Sequence, residues 1–190
     1  MVLLPRLAAF AQAYPDIVLD VVTTTGPVDL VAGEFDAGIQ LGEYIQKDLI
    51  AVRVTPELRL AVVGSPGYFS SRRIPQKPRD LRDHQCIALR LPGGPSRWEF
   101  ERARKSVTIN ASGSLIIDDT HLVIQAALAG VGLGLAYEEQ VAQYIAERRL
   151  VRVLEEWTPP IPGFFLFYPS RQLQPAALSA LVNALRLSQQ

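Results

Sequence analysis

The stretch Leu115–Tyr137, LIIDDTHLVIQAALAGVGLGLAY, decides how this chain is read. Leu115, Ile116 and Ile117 form a short apolar run of strand type, and two acids and a threonine then precede a helical pattern. Leu122, Ala126 and Ala129 recur at helical spacing, as do Val123 and Ala127. Thr120 is placed as the N-cap, because its hydroxyl can accept a bond from an unpaired first-turn N–H. Asp118 and Asp119 lie on the side that the helix dipole favours. Gly130 suits the left-handed position past a helix end. Val131–Ala136 follows as a strand in which Gly132 and Gly134 let another backbone or a ligand come close. A strand–helix–strand unit results, its helix starting at a strand's carboxyl end, where open α/β sheets bind ligands. The unit therefore reads as half of a ligand site.

Composition narrows the classes. A chain of 190 residues, 48% of them apolar, can bury a substantial core as one large domain or as two small ones sharing a cleft. Its 19 basic and 19 acidic residues balance, so no long-range field would hold it on nucleic acid or on an anionic membrane. Cys86 is the single cysteine, which excludes an internal disulfide and suits a reducing compartment. There is no charged leader before an apolar run and no 18-residue apolar stretch, so a soluble cytoplasmic protein is expected.

In chain order, Leu3, Leu7, Phe10, Ala11 and Tyr14 share a helical face, which Tyr14-Pro15-Asp16 closes. Ile17–Val22 is apolar and β-branched, as a strand covered on both faces should be. Thr23, Thr24 and Thr25 then lead into a short helix predicted over residues 28–32 and a strand from Ala37 to Leu41. These hydroxyls either hold a small anion or merely cap the helix. Asp48–Val63 is β-rich with a break at Pro56, and Ser65 is the expected cap of a one-turn helix with Pro66 at its first position. A domain crossing is placed near Gly64. Beyond a strand at Cys86–Leu91 and a Pro/Gly loop, Trp98 and Phe100 alternate with charges, Ala103-Arg104-Lys105 turns, and Val107 and Ile109 alternate again, which predicts a hairpin. Trp98, at the loop's exit, is either an aromatic wall for a ligand or a packed core residue. A helix around Val141–Arg148 and a strand at Leu150–Leu154 precede Pro159-Pro160-Ile161-Pro162-Gly163, an extended linker and the second crossing. Phe164–Tyr168 reads as a buried strand, and Pro175 opens a last helix. The domains expected are 1–63 with 162–190, and 64–161.

Catalytic chemistry finds little support. His84 and His121 are the only histidines, and no Gly-x-Ser-x-Gly elbow is present. One cysteine and two distant histidines spell no metal set. Asp118 and Asp119 form a general-base pair or, more simply, complement the helix dipole. Gly130, Gly132 and Gly134 follow a helix and enter a strand, the reverse of the dinucleotide fingerprint. Neither catalysis, a metal nor a cofactor is expected.

The run from Leu3 through Tyr14-Pro15-Asp16, then Val28-Asp29-Leu30-Val31 with Asp36-Ala37-Gly38-Ile39, Gly64-Ser65-Pro66, Ala127–Gly132, Leu150–Leu154 and residues 164–170 resembles the effector-binding domain of LysR-type transcriptional regulators. The resemblance covers essentially the whole chain. It implies a two-lobed α/β fold of the type 2 periplasmic-binding-protein kind, with mixed sheets and two crossover segments. It also implies an N-terminal winged helix-turn-helix outside this chain, through which alone DNA would be bound. The family has a strand and a ligand-contacting loop ahead of the first helix; this sequence shows neither, so the first sheet is expected to be one strand short.

By the same resemblance, a small-molecule effector sits between the lobes against Thr24, Thr25, Ser65, Trp98, Asp119 and Thr120. The acid at Asp119 would favour an amine or hydroxyls over a carboxylate. The family also pairs these domains as antiparallel homodimers, through the helix Leu3–Tyr14 and the strand Ile17–Val22, and as dimers or tetramers at full length. A solute-binding protein of a transporter shares the fold and is the alternative.

Overall fold

A computed structural model describes residues 3–24, 26, 29–42, 45, 49–169 and 175–187. The chain divides into two compact units, Met1–Leu58 with Pro162–Gln190, and Arg59–Ile161. The first boundary thus falls ahead of residue 64, the crossing placed from composition. The reason is hydrogen bonding: Leu60–Gly64 (β3) is a strand of the second unit, pairing on both sides within it.

Unit 1 is built on a three-stranded antiparallel sheet in which Phe164–Pro169 (β11) lies between Gly38–Leu41 (β1) and Leu49–Arg53 (β2). Helices Leu4–Ala13 (α1) and Ala176–Leu185 (α5) cover one face, where Leu166, Tyr168, Val182 and Leu185 form the core with Leu3, Leu7 and Ile39 packed against it. The Arg6 guanidinium fastens the two helices together. It donates to the carbonyls of Leu185, Arg186 and Ala184 at the end of α5 and to that of Val54, so orphan carbonyls are satisfied by a charged donor.

Two expectations fail in this unit. Residues 17–24 form no strand, and Val18, Val21 and Val22 are 92%, 59% and 60% exposed. An extended apolar segment becomes a strand only when a neighbour supplies the ladder, and none of the described residues does so. The helix predicted over 28–32 is also absent where it is described. Leu30–Glu34 is a series of turns, with Asp29 Oδ1 accepting from the N–H groups of Val31 and Ala32 at 3.0 Å. Val28 lies outside the described residues.

Unit 2 has β3 at its centre, between Gly134–Tyr137 (β9) and Val151–Val153 (β10), both antiparallel to it. Ala61, Val62 and Val63 are 0% exposed, which explains the unbroken apolar run. Ala61 and Val63 pack under helices Thr120–Leu128 (α3) and Glu138–Ala146 (α4), with Ile87, Val123, Ala127 and Val141. Val62 faces the other way, toward Tyr68, Leu81, Trp98, Phe100 and Leu133. That second layer is supplied by Pro66–Phe69 (α2), the 3-10 helix Pro78–Asp83, and the antiparallel hairpin of Arg97–Arg102 (β6) with Lys105–Asn110 (β7). Between them, Ala88–Leu91 (β4) pairs with the short Gly94–Pro95 (β5) and, in parallel, with Ile116–Ile117 (β8).

The deciding stretch keeps its strand–helix–strand order, but its second strand is Gly134–Tyr137 rather than Val131–Ala136, and the helix cap shifts by one residue. Gly130 has φ +80, Gly130 N–H donates to Ala127 O and Val131 N–H to Ala126 O, both at 3.1 Å, which is the Schellman pattern. At Gly132 a Cβ would lie 2.4 Å from Gln85 O, so this glycine admits a neighbouring backbone rather than a ligand. The N-cap is Asp119, not Thr120. Asp119 is extended (φ −125, ψ 122) and its Oδ1 accepts from Leu122 N–H at 2.9 Å, which makes Thr120 the first helical residue.

Candidate functional site

Strand direction defines where unit 2 can hold a ligand. β4 and β8 run parallel, with Ala88 opposite Ile116, and the bridge from Cys86 to Leu133 aligns the lead-in of β9 parallel to that of β4. The carboxyl ends of β9, β4 and β8 therefore share one edge of the unit, and α3 starts directly after β8 on that edge. This is the arrangement in which parallel strands and a helix start converge on ligands. The N–H groups of Thr120 and His121 have no hydrogen-bond partner among the described residues. Asp119 is exposed and Thr120 half-buried.

Within unit 2, Ser65 and Trp98 do not gather with Asp119 and Thr120 into one cluster. Ser65 is 7% exposed, and its Oγ accepts from Tyr68 N–H at 3.2 Å, which caps α2. It lies beside Gly130, where an added Cβ would be 3.3 Å from Ser65 Oγ. That is the carboxyl end of α3. The nine residues of α3 span about 13 Å at 1.5 Å each, so Ser65 and Thr120 sit at opposite ends of the helix. The cause is register: β3 runs antiparallel to β9, with Leu60 opposite Tyr137 and Val63 opposite Gly134, which carries Ser65 away from the α3 start. Trp98 is 1% exposed and packs in the core with Leu81, Cys86, Phe100 and Leu133; its ring is a core side chain, not a wall of a site. In unit 1, Thr24 is exposed and its Oγ1 accepts from Gly26 N–H at 3.4 Å, a local turn, whereas Thr25 lies outside the described residues.

One polar cluster at the same edge escaped the sequence reading. Arg152, its side chain only 10% exposed, places Nη1 2.8 Å from Glu138 Oε1 and 3.3 Å from Glu155 Oε1, and Nη2 donates to Leu60 O at 3.3 Å. The N–H of Glu138 donates to Arg59 O at 2.8 Å. These bonds tie the start of α4 to the start of β3 and to the exit of β10. Alternation in 150–154 marks a strand and gives no hint of such a contact. No group of three or more potential metal-ligating side chains occurs among the described residues.

The two α/β units, the first discontinuous and the second with a mixed sheet of β5, β4 and β8, define a type 2 periplasmic-binding-protein-like fold. It matches the LysR-type regulator CrgA from Neisseria meningitidis with a TM-score of 0.79 at 26% identity, over 96% of this chain and 62% of that one. A family model described as the LysR substrate binding domain matches residues 1–189, and the chain belongs to that family. It is 45% identical over 186 residues to a Pseudomonas aeruginosa sequence described as a transcriptional regulator, covering 97% of this chain and 61% of the relative. It is 38% identical over 187 residues to the HTH-type transcriptional regulator PgrR of Escherichia coli, covering 97% and 62%. The chain thus spans about three fifths of the length of these relatives. No helix of the described residues is long and apolar enough to cross a membrane.

Beside Ser65 lies a buried polar contact. Tyr68 Oη accepts from Gln85 N–H at 2.9 Å and lies within hydrogen-bonding distance of His84 Nδ1, at 3.2 Å. Burial raises the tyrosine hydroxyl above its ordinary range, so it keeps the proton. Burial also lowers the His84 pKa, opposed by Asp83 and Asp80 and aided by Arg72. Cys86 is pushed up to about 11 by burial, which leaves a thiol rather than a reactive thiolate. Because the folded-state pKa of His84 lies below its unfolded value, the unfolded chain binds more protons once the pH falls past about 6.5. The stability contributed by neutral His84 is complete above that pH and is lost as the pH falls through the folded-state pKa. The unfolding midpoint should therefore drop between pH 7 and pH 5, and His84→Gln should flatten part of that slope. An unchanged slope in the variant would show that other groups carry it.

Proposed function

We propose that this domain senses a small-molecule effector at the edge of unit 2 where α3 begins, with Asp119 and Thr120 as its contacts there and the hydroxyls of Thr24 and Thr25 as the candidates in unit 1. The observation that carries the reading is the convergence of three parallel strand ends on a helix start with two unpartnered N–H groups. Ser65 and Trp98 are left out of the contact set, since the first is committed to a helix cap and the second to the core. The Asp119 carboxylate favours a ligand that presents an amine or hydroxyls. Effector binding shifts the domain's conformational equilibrium only by its differential affinity for the states concerned. The shift reaches DNA through a winged helix-turn-helix elsewhere in the full-length regulator, a cytoplasmic protein in this reading. The domain itself catalyses no reaction. Relatives named as regulators support this over the transporter alternative.

A thermal-shift screen of small metabolites tests the site, since a ligand at 100 times its dissociation constant should stabilise the fold by ~2.7 kcal/mol. Thr120→Ala and Asp119→Asn should each weaken a hit, while Ser65→Ala should lower stability without changing affinity. A hit indifferent to both edge variants places the effector elsewhere.

We further propose that the regulator pairs through α1 and the 17–22 segment, forming dimers or tetramers at full length. The exposed Leu4 in α1 and Val18, Val21 and Val22 in the 17–22 segment support this, because the described residues leave these apolar side chains largely uncovered. Sedimentation at micromolar concentration should show a dimer that Val18→Asp with Val21→Asp converts to monomer; a wild-type monomer would oppose the pairing.

A further inference from the structure

At the opposite edge of unit 2 a hollow of about 630 Å³ opens between α2, the carboxyl end of α3 and the segment that follows α4. Its volume suits a small ligand. Three arginines from two segments, Arg72 and the adjacent Arg148 and Arg149, line it, and no acidic residue does. Two of the three are held in place by aromatic rings: Arg72 lies 4.6 Å over Tyr68, and Arg149 lies 4.9 Å over Tyr144. Among the described residues the one carboxylate paired with these arginines is Glu147, whose Oε2 is 3.1 Å from Arg149 Nη1. Gln143 Nε2 also donates to Glu147, at 2.8 Å, so that carboxylate is already shared. Arg148 has φ +58, a left-handed backbone for a non-glycine residue, and its guanidinium has no partner among the described residues.

Arginines near helix ends commonly serve the helix dipole, and here they do not cap it. The last carbonyls of α3 are taken by backbone N–H groups, Ala126 O by Val131, Ala127 O by Gly130 and Gln125 O by Ala129. Those of α4 are likewise taken: Gln143 O by Glu147, Tyr144 O by Arg149 and Leu150, and Ile145 O by Arg148. Among the described residues, no arginine side chain donates to a backbone carbonyl of α3 or α4. Three arginines therefore line the hollow, two of them stacked on rings, and among the described residues the one carboxylate paired with them is already shared.

We propose that this hollow is a binding site for a small polyanion bearing carboxylate or phosphate groups, separate from the effector edge at Asp119 and Thr120. Planar guanidinium forks match either oxyanion through paired N–H donors, and the ring-stacked pair requires little reorganisation. A ligand bridging Arg148 to Arg72 would fasten the segment that follows α4 to the one that follows α2.

The test is titration of the domain with inorganic phosphate and, in a separate arm, with citrate, at constant ionic strength set by chloride and read by calorimetry and unfolding midpoint. A saturable response is expected, weakened by at least about tenfold in Arg148→Gly and in Arg149→Gln, the loss of one charge-assisted contact. Arg148→Gly also relieves the left-handed backbone, so its midpoint without anion should be unchanged or higher, which separates lost binding from lost folding. Phosphate binding alone assigns a phosphate ligand, citrate binding alone a carboxylate, and either result supports the site. No saturable response in either arm overturns the proposal, as does an equal response in wild type and variants. A loss of anion affinity in Thr120→Ala of the same size would also overturn it, by moving the anion to the other end of α3, and would leave the effector reading standing.

Discussion

Everything in unit 2 is arranged around β3. Ala61, Val62 and Val63 have no exposed surface, and each valine withdrawn from water contributes about 1.5–3 kcal/mol. Alternation then assigns roles. Ala61 and Val63 draw α3 and α4 onto one face, and Val62 draws the hairpin and α2 onto the other. Such a strand must be paired along both edges, because its backbone groups are as inaccessible as its side chains. β9 and β10 meet that requirement, and both run antiparallel to it.

From this single constraint follows the division of the unit into two chemically different edges. Once β9 is fixed beside β3, its lead-in aligns with β4, and β8 joins β4 in parallel, so α3 has to start at the edge where β9, β4 and β8 end. That edge carries Asp119, Thr120 and the Arg152 network with Glu138 and Glu155. The other edge receives the helix ends, Ser65 and three arginines. One helix separates an acidic edge from a basic one. Two ligands of opposite character could therefore act on the same short element, each biasing the packing of α3 against β3.

Local chemistry was readable where it was self-contained. The glycine at 130 announces a left-handed helix end, and the structure shows one, down to the paired hydrogen bonds. Ser65 followed by Pro66 announces a capped turn and forms it. Where two neighbouring residues can do the same job, the sequence is degenerate: Asp119 and Thr120 are both competent caps, and the strand exit selects the first. Contacts across the chain were not legible. Nothing local says that Ser65 lies at the far end of α3 from Thr120, since that depends on the pairing of Leu60 with Tyr137. Ile17–Val22 has the composition of a buried strand but becomes one only with a neighbour. Trp98 looks the same in sequence whether it lines a cleft or fills a core, and burial alone decides.

The account stands on β3 as the frame of unit 2, and amide hydrogen exchange tests that most directly. The N–H groups of Val62 and Val63 should be the slowest to exchange in the unit, opening only with its global unfolding, while those of the β6–β7 hairpin and the first turn of α3 exchange through local openings. Exchange at Val62 and Val63 as fast as in the hairpin would contradict the account, because the two edges would then lack the common support that keeps them apart.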